Sequence, residues 1–116
     1  MSHDSSEADW KLFRKMREAA LEQFCERALN EVGGLISASE KSCHERYLDV
    51  YRRLADRDKE LARAFDGPRR SRMVSQLTQL FLLGLIGHED LAGFSDNTRQ
   101  TVVSIVEDYR LARTRR

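Results

Sequence analysis

The stretch SCHERYLDVYRRLADRDKELARAFDGP, residues 42–68, decides the fold class, because it carries a start, a period and a stop. Ser42-Cys43-His44-Glu45 has capping-box spacing, in which a serine hydroxyl and a glutamate carboxylate each accept a backbone N–H at a helix start. Tyr47, Val50, Tyr51, Leu54, Leu61, Ala62 and Phe65 then form one apolar helix face. Opposite charges three residues apart, at Asp49/Arg52, Arg53/Asp56, Arg57/Glu60 and Glu60/Arg63, crowd the outer face. Asp66-Gly67-Pro68 ends the run: Gly67 stops one helix, and Pro68 suits the first turn of the next, where its missing N–H has no intrahelical partner to lose. The spacing predicts a helix over 43–65, with Ser37-Ala38-Ser39-Glu40 offering a competing start.

Toward the amino terminus, Trp10, Phe13, Met16, Ala20, Leu21, Phe24, Ala28, Leu29 and Val32 keep the same period. They predict a helix over about 6–32, with Glu7→Lys11, Arg14→Glu18 and Arg27→Glu31 as surface ion pairs and Gly33-Gly34 as its end. Toward the carboxyl terminus, residues 69–86 read as a third helix and residues 96–112 as a fourth, capped by Ser95 or Asp96. In the fourth, Val102, Ile105, Val106 and Tyr109 are expected to face inward, and one extra helical turn fits near 88–92. No alternating run of strand length occurs. The expected fold is all-α: a compact bundle of four main helices in one domain over 1–116, with ends at 1–5 and 113–116 expected to fray.

Composition narrows the function classes. Among 116 residues, 41% are hydrophobic and 34% charged, enough to enclose one core and too polar for a membrane protein. Twenty basic residues against nineteen acidic ones leave a net charge of +1, so no global field draws the chain to nucleic acid or acidic lipid. The apolar run Met73–Ile86 contains Ser75, Gln76, Thr78 and Gln79 and is shorter than the roughly 20 residues of a bilayer span. The polar start Met1-Ser2-His3-Asp4-Ser5-Ser6-Glu7 lacks the pattern of a secretory leader, and two cysteines are too few for a disulfide framework, so the expected location is the cytoplasm. Cys25, Cys43, His3, His44 and His88 form no metal-ligand pair, and the one Glu40-x-x-x-His44 pair is a residue too long for a di-iron motif. No nucleophile elbow, phosphate loop or dinucleotide fingerprint is present, and neither catalysis nor a cofactor is expected.

Three features remain as candidates. Cys43, behind a Ser42 cap, would sit where a helix start favours the thiolate, making it a candidate reactive thiol. Charge is uneven: residues through Pro68 carry 12 basic and 14 acidic groups, residues from Arg69 onward 8 and 5. Arg69, Arg70 and Arg72 at one corner and Arg110 and Arg113 in the basic tail are therefore candidate contacts for an acidic partner or nucleic acid. The phrase Glu89-Asp90-Leu91-Ala92-Gly93-Phe94-Ser95 leading into a helix looks like a helix-turn-helix, but Leu91-Ala92 runs straight into Gly93 and shortens the first helix by nearly a turn. A helical hairpin plugged by Leu91 and Phe94 explains the same residues. Finally, Leu80, Phe81, Leu82 and Leu83 point almost all round their helix, and Leu80, Leu82, Leu83 and Ile86 are candidates for self-association into a dimer. The expected function is a non-catalytic, self-associating interaction or regulatory module; a small DNA- or RNA-binding regulator is the alternative.

Overall fold

A computed structural model describes the backbone of residues 2–114 and the side chains of residues 7–114. The chain is all-helical: α1 (Ser2–Ile36), α2 (Cys43–Phe65), a 3₁₀ turn (Arg70–Arg72), α3 (Met73–Leu82), a one-turn α4 (His88–Leu91) and α5 (Asp96–Thr114). Of the ends expected to fray, residues 2–5 belong to α1 and 113–114 to α5, while Met1, Arg115 and Arg116 lie outside the described residues. The four main helices, the extra turn and the α2 boundaries follow the sequence. Three other expectations do not hold.

Gly33-Gly34 does not end α1. Both glycines stay helical, since only Gly67 and Gly84 take positive φ among the described residues. Each interior glycine weakens the helix by about 1 kcal/mol, a penalty that neighbouring bonds can outweigh. Ser37 donates to the Gly33 carbonyl through both its N–H (3.1 Å) and its hydroxyl (2.9 Å), and Arg46 of α2 donates to the Ile36 carbonyl at 2.7 Å. The last turn of α1 is thus held by a partner helix that no local pattern reveals.

The third helix is shorter than 69–86. Arg69 is extended, Arg70–Arg72 form a 3₁₀ turn, and Arg72 donates back to the Asp66 carbonyl at 2.8 Å. At the other end Gly84 takes φ +73 and closes a Schellman motif: Leu85 N–H donates to the Leu80 carbonyl (2.9 Å) and Gly84 N–H to that of Phe81 (3.0 Å). Leu80 and Leu85, the apolar pair that accompanies this motif, are both buried. Arg27 of α1 fastens the turn, donating to the carbonyls of Leu83 (2.9 Å) and Gly84 (3.0 Å).

Third, the expected surface pairs give way to cross-helix ones. Glu7 pairs with Arg70 (2.6 Å), Glu31 with Arg57 (2.8 Å) and Arg53 (3.6 Å), and of the ion pairs expected on α2 only Arg57–Glu60 (2.6 Å) is present among the described residues.

The core gathers on α3, which packs against α1, α2 and α5. Leu77 and Leu80 are fully buried, among Phe13, Phe24, Phe65, Val102 and Val106. Leu91 and Phe94 plug the end of this core from the short α4 hairpin. Asp9 of α1, itself buried, fixes the start of α5: it accepts hydrogen bonds from Ser95 N–H (2.8 Å), Ser95 Oγ (2.7 Å) and Thr98 Oγ1 (2.6 Å). The molecule measures 59 × 34 × 23 Å. Its length comes from α1, whose 35 residues span about 52 Å. Arg27 marks how far up α1 the α3 turn reaches, and beyond it α1 and α2 continue as a projecting hairpin.

Candidate functional site

The hairpin leaves uncovered the side chains that its own periodicity marks as apolar. Tyr47 (69% exposed), Tyr51 (65%) and Leu54 (43%) on α2 and Leu29 (66%) on α1 were expected on the inner faces and instead face outward, joined by Ile36 (55%) from the added last turn of α1. On α2 they extend a stripe that the core uses lower down. Tyr47, Tyr51, Leu54, Asp58, Leu61 and Phe65 follow one another at intervals of four and three residues, with Phe65 and Leu61 packed into the core. Asp58 divides the covered half of the stripe from the open half.

The two helices contribute to one face. Ile36, Cys43, Arg46, Tyr47 and Val50 line a shallow groove of about 320 Å³, which sets Ile36 beside Tyr47. Leu29 lies seven residues before Ile36, and Leu54 seven residues after Tyr47, so each falls on the same side of its helix two turns further from the tip. Ion pairs link the two helices of the hairpin. Glu31 sits between Arg57 and Arg53; the hydrogen bond from Arg57, with the positive charge of both arginines, holds its carboxyl below the usual range despite partial desolvation. The same bond, which Glu31 accepts, with a second accepted by Glu60, raises Arg57. At the tip, Lys41 donates to Asp49 at 2.8 Å, which lowers the Asp49 carboxyl and raises the Lys41 ammonium.

Cys43 lies where the capping box placed it. Ser42 Oγ accepts the Glu45 N–H at 3.1 Å, and Glu45 accepts the Ser42 N–H at 2.9 Å. The thiol is free and exposed, with an Arg46 nitrogen 3.4 Å from its sulfur. Of the residues expected to form a self-association surface, Leu80 and Ile86 are buried inside the single chain, and Leu82 and Leu83 are half-buried against a cavity shared with Phe24, Arg27 and Arg57.

The five candidate arginines do not form one site. Arg72 is occupied with the carbonyls of Asp66 and Gly67, and Arg70 pairs with Glu7 and lies 5.9 Å over the Trp10 ring. Arg110 lies over Phe81, at the opposite end of α3, and Arg113 over Tyr109. What comes to the Arg69–Arg70 corner instead is the flank of α1. Trp10, Lys11, Arg14, Lys15 and Arg17 line a groove of about 510 Å³ that Pro68 closes on the far side. These lysines sit between glutamates in the chain and read there as a balanced solvated surface. Their spacing on α1 puts them on one flank, and the loop after α2, folded against it through Pro68, turns that flank into a groove. The shortened helix-turn-helix phrase is a plugged hairpin: α4 is a single turn, and Thr98, Val102 and Val106 turn the inner face of α5 into the bundle, while Ile105 and Tyr109, expected inside, are exposed.

Among the described residues no group of three or more His, Cys, Asp or Glu is placed to hold a metal ion, and no helix is long and apolar enough to cross a membrane. No family model matches the chain, and neither a curated protein nor a solved structure shows significant similarity to it.

Proposed function

We propose that this chain is a non-catalytic, cytoplasmic helical interaction module that pairs with a second copy of itself through the open face of the α1–α2 hairpin. The observation that carries the reading is the set Leu29, Ile36, Tyr47, Tyr51 and Leu54, five large apolar side chains exposed on the α1–α2 hairpin, with Ile36 and Tyr47 lining one groove. Their summed exposed surface is on the order of 600 Å², the upper end of the roughly 300–600 Å² of the largest apolar patch on a typical monomer, a patch that is often functional. With the flanking stems it approaches the roughly 800 Å² per partner of a stable interface.

Two features favour a second copy as the occupant. A two-fold axis between Val50 and Tyr51 maps the apolar set of α2 onto itself, placing Tyr47 opposite Leu54 and Val50 opposite Tyr51 of the partner. Two hairpins so joined form a four-helix bundle, the usual way for paired helices to bury a one-sided apolar stripe. The segment 73–86 is a weaker candidate, because Leu80 and Ile86 are already used inside the chain.

Light scattering of the wild type and of two variants tests this. The wild type runs as a dimer. Tyr51→Glu, which places two carboxylates beside the axis, gives a folded monomer with a dissociation constant raised by at least about 100-fold. Leu82→Glu puts a charge against the core and lowers the stability of the chain itself. A wild type that stays monomeric at high concentration, or a Tyr51→Glu variant that stays dimeric, rules the reading out.

A further inference from the structure

The groove at the opposite end of α1 has a chemistry of its own. Lys11, Arg14 and Lys15 are exposed along one flank, and none has an ion-pair partner among the described residues. Arg14 and Glu18, four residues apart, do not pair; Glu18 is the one acidic residue on this wall. Lys11 and Lys15 stand about 6 Å apart along the helix axis, with Arg14 beside them, a spacing that suits successive anionic groups on one flexible chain.

The groove's upper end is aromatic. Trp10 lies against Phe13, ring centres 5.7 Å apart, and the Arg70 guanidinium sits 5.9 Å from the indole, tethered by Glu7 at 2.6 Å. Arg17, whose guanidinium donates to the Phe65 carbonyl at 2.6 Å, secures the wall to the end of α2. Cations that follow a backbone, next to a rigid aromatic and a planar guanidinium, are what a single-stranded nucleic acid requires: phosphates on the lysines and Arg14, a base at the Trp10–Arg70 end. An acidic peptide would use the cations and leave the indole idle, and a duplex would present no unstacked base to it.

We infer that this groove binds single-stranded nucleic acid through its phosphate backbone. The site is about 30 Å along α1 from the hairpin face and is independent of self-association.

Trp10 is the only tryptophan in the chain, so its fluorescence reports this groove alone. Labelled single strands of about 10 nucleotides, one of RNA and one of DNA, are titrated with the full chain, alongside a duplex of equal length and poly-glutamate. The expected result is binding of one or both single strands with a change in Trp10 emission. With three or four phosphates engaged, the slope of log K against log salt falls between about −2 and −3. Lys11→Ala/Arg14→Ala/Lys15→Ala weakens binding at least tenfold at low salt, about 50 mM. Glu18→Lys, which reverses the acidic charge in the groove lining, strengthens it several-fold and guards against a triple variant that fails to fold. A preference for RNA places a 2′-hydroxyl contact in the groove; equal affinities assign recognition to phosphate and base alone. The inference is overturned by silent Trp10 emission, by affinity insensitive to salt or to the substitutions, or by tighter binding of the duplex or of poly-glutamate.

Discussion

Asp9 shows how much one side chain settles here. Its carboxyl accepts three hydrogen bonds from Ser95 and Thr98, more than eighty positions away, and so caps α5 from another helix. Removing it strands a buried backbone N–H and two hydroxyls together. Asp9→Ala is expected to destabilise the fold by about 2–4 kcal/mol in urea denaturation, and Thr98→Val by roughly half of that. A loss under about 0.5 kcal/mol for Asp9→Ala would mean that water replaces the carboxylate at no penalty. Ser95 was recognisable from sequence as a helix start; Asp9 was not, because in the chain it is one more acid on a polar helix.

At the scale of the element, the hairpin depends on a charge network that titrates. Arg57 and Arg53 depress the Glu31 carboxyl below its usual 4.5. A depressed carboxyl contributes stability that is complete above the unfolded value and disappears as pH falls through the folded one. The hairpin should therefore loosen only as pH falls below 4.5 toward the lowered folded value, and Glu31→Gln should flatten that acid limb while leaving a less stable hairpin at neutral pH. Hydrogen exchange of amides in residues 29–36 and 46–57 measures this locally. Equal acid sensitivity in wild type and Glu31→Gln would remove Glu31 from the account. Sequence periodicity gave α2 its length and its cap correctly, but paired Arg57 with Glu60 alone. The stronger link to Glu31 needs α1 alongside, and an antiparallel register is not written in either helix by itself.

For the whole molecule, the proposed pairing through the projecting hairpin would couple association to stability. If two copies bury the hairpin face, the midpoint of thermal unfolding rises with protein concentration, because dimer formation draws on the folded state only. A hundredfold increase in concentration should raise it by a few degrees in the wild type and leave Tyr51→Glu unmoved. A wild-type midpoint independent of concentration would point to a partner other than a second copy. The sequence drew attention to the apolar run of α3, while the large exposed apolar side chains of the hairpin lie on α1 and α2. The run Leu80–Leu83 is apolar all round because α3 is enclosed by α1, α2 and α5, whereas the real surplus lies on helices whose patterns looked like ordinary amphipathic ones.

The division between the two levels of information has a physical basis. Helix type, number and both boundaries of α2 were determined by the sequence alone, since capping at Ser42, the stop at Gly67-Pro68 and the three-to-four-residue period act over a single turn or two. Tertiary structure decided whatever depends on which helix lies beside which: the persistence of α1 through Gly33-Gly34, the early close of α3 at Gly84 under Arg27, and the exposure of Tyr47 and Tyr51 on the same stripe that buries Phe65. It also brought Pro68 against the flank of α1 that carries Lys11, Arg14 and Lys15. An apolar stripe specifies that a face seeks cover; only the length and placement of the neighbouring helices determine how much of it finds cover within the chain.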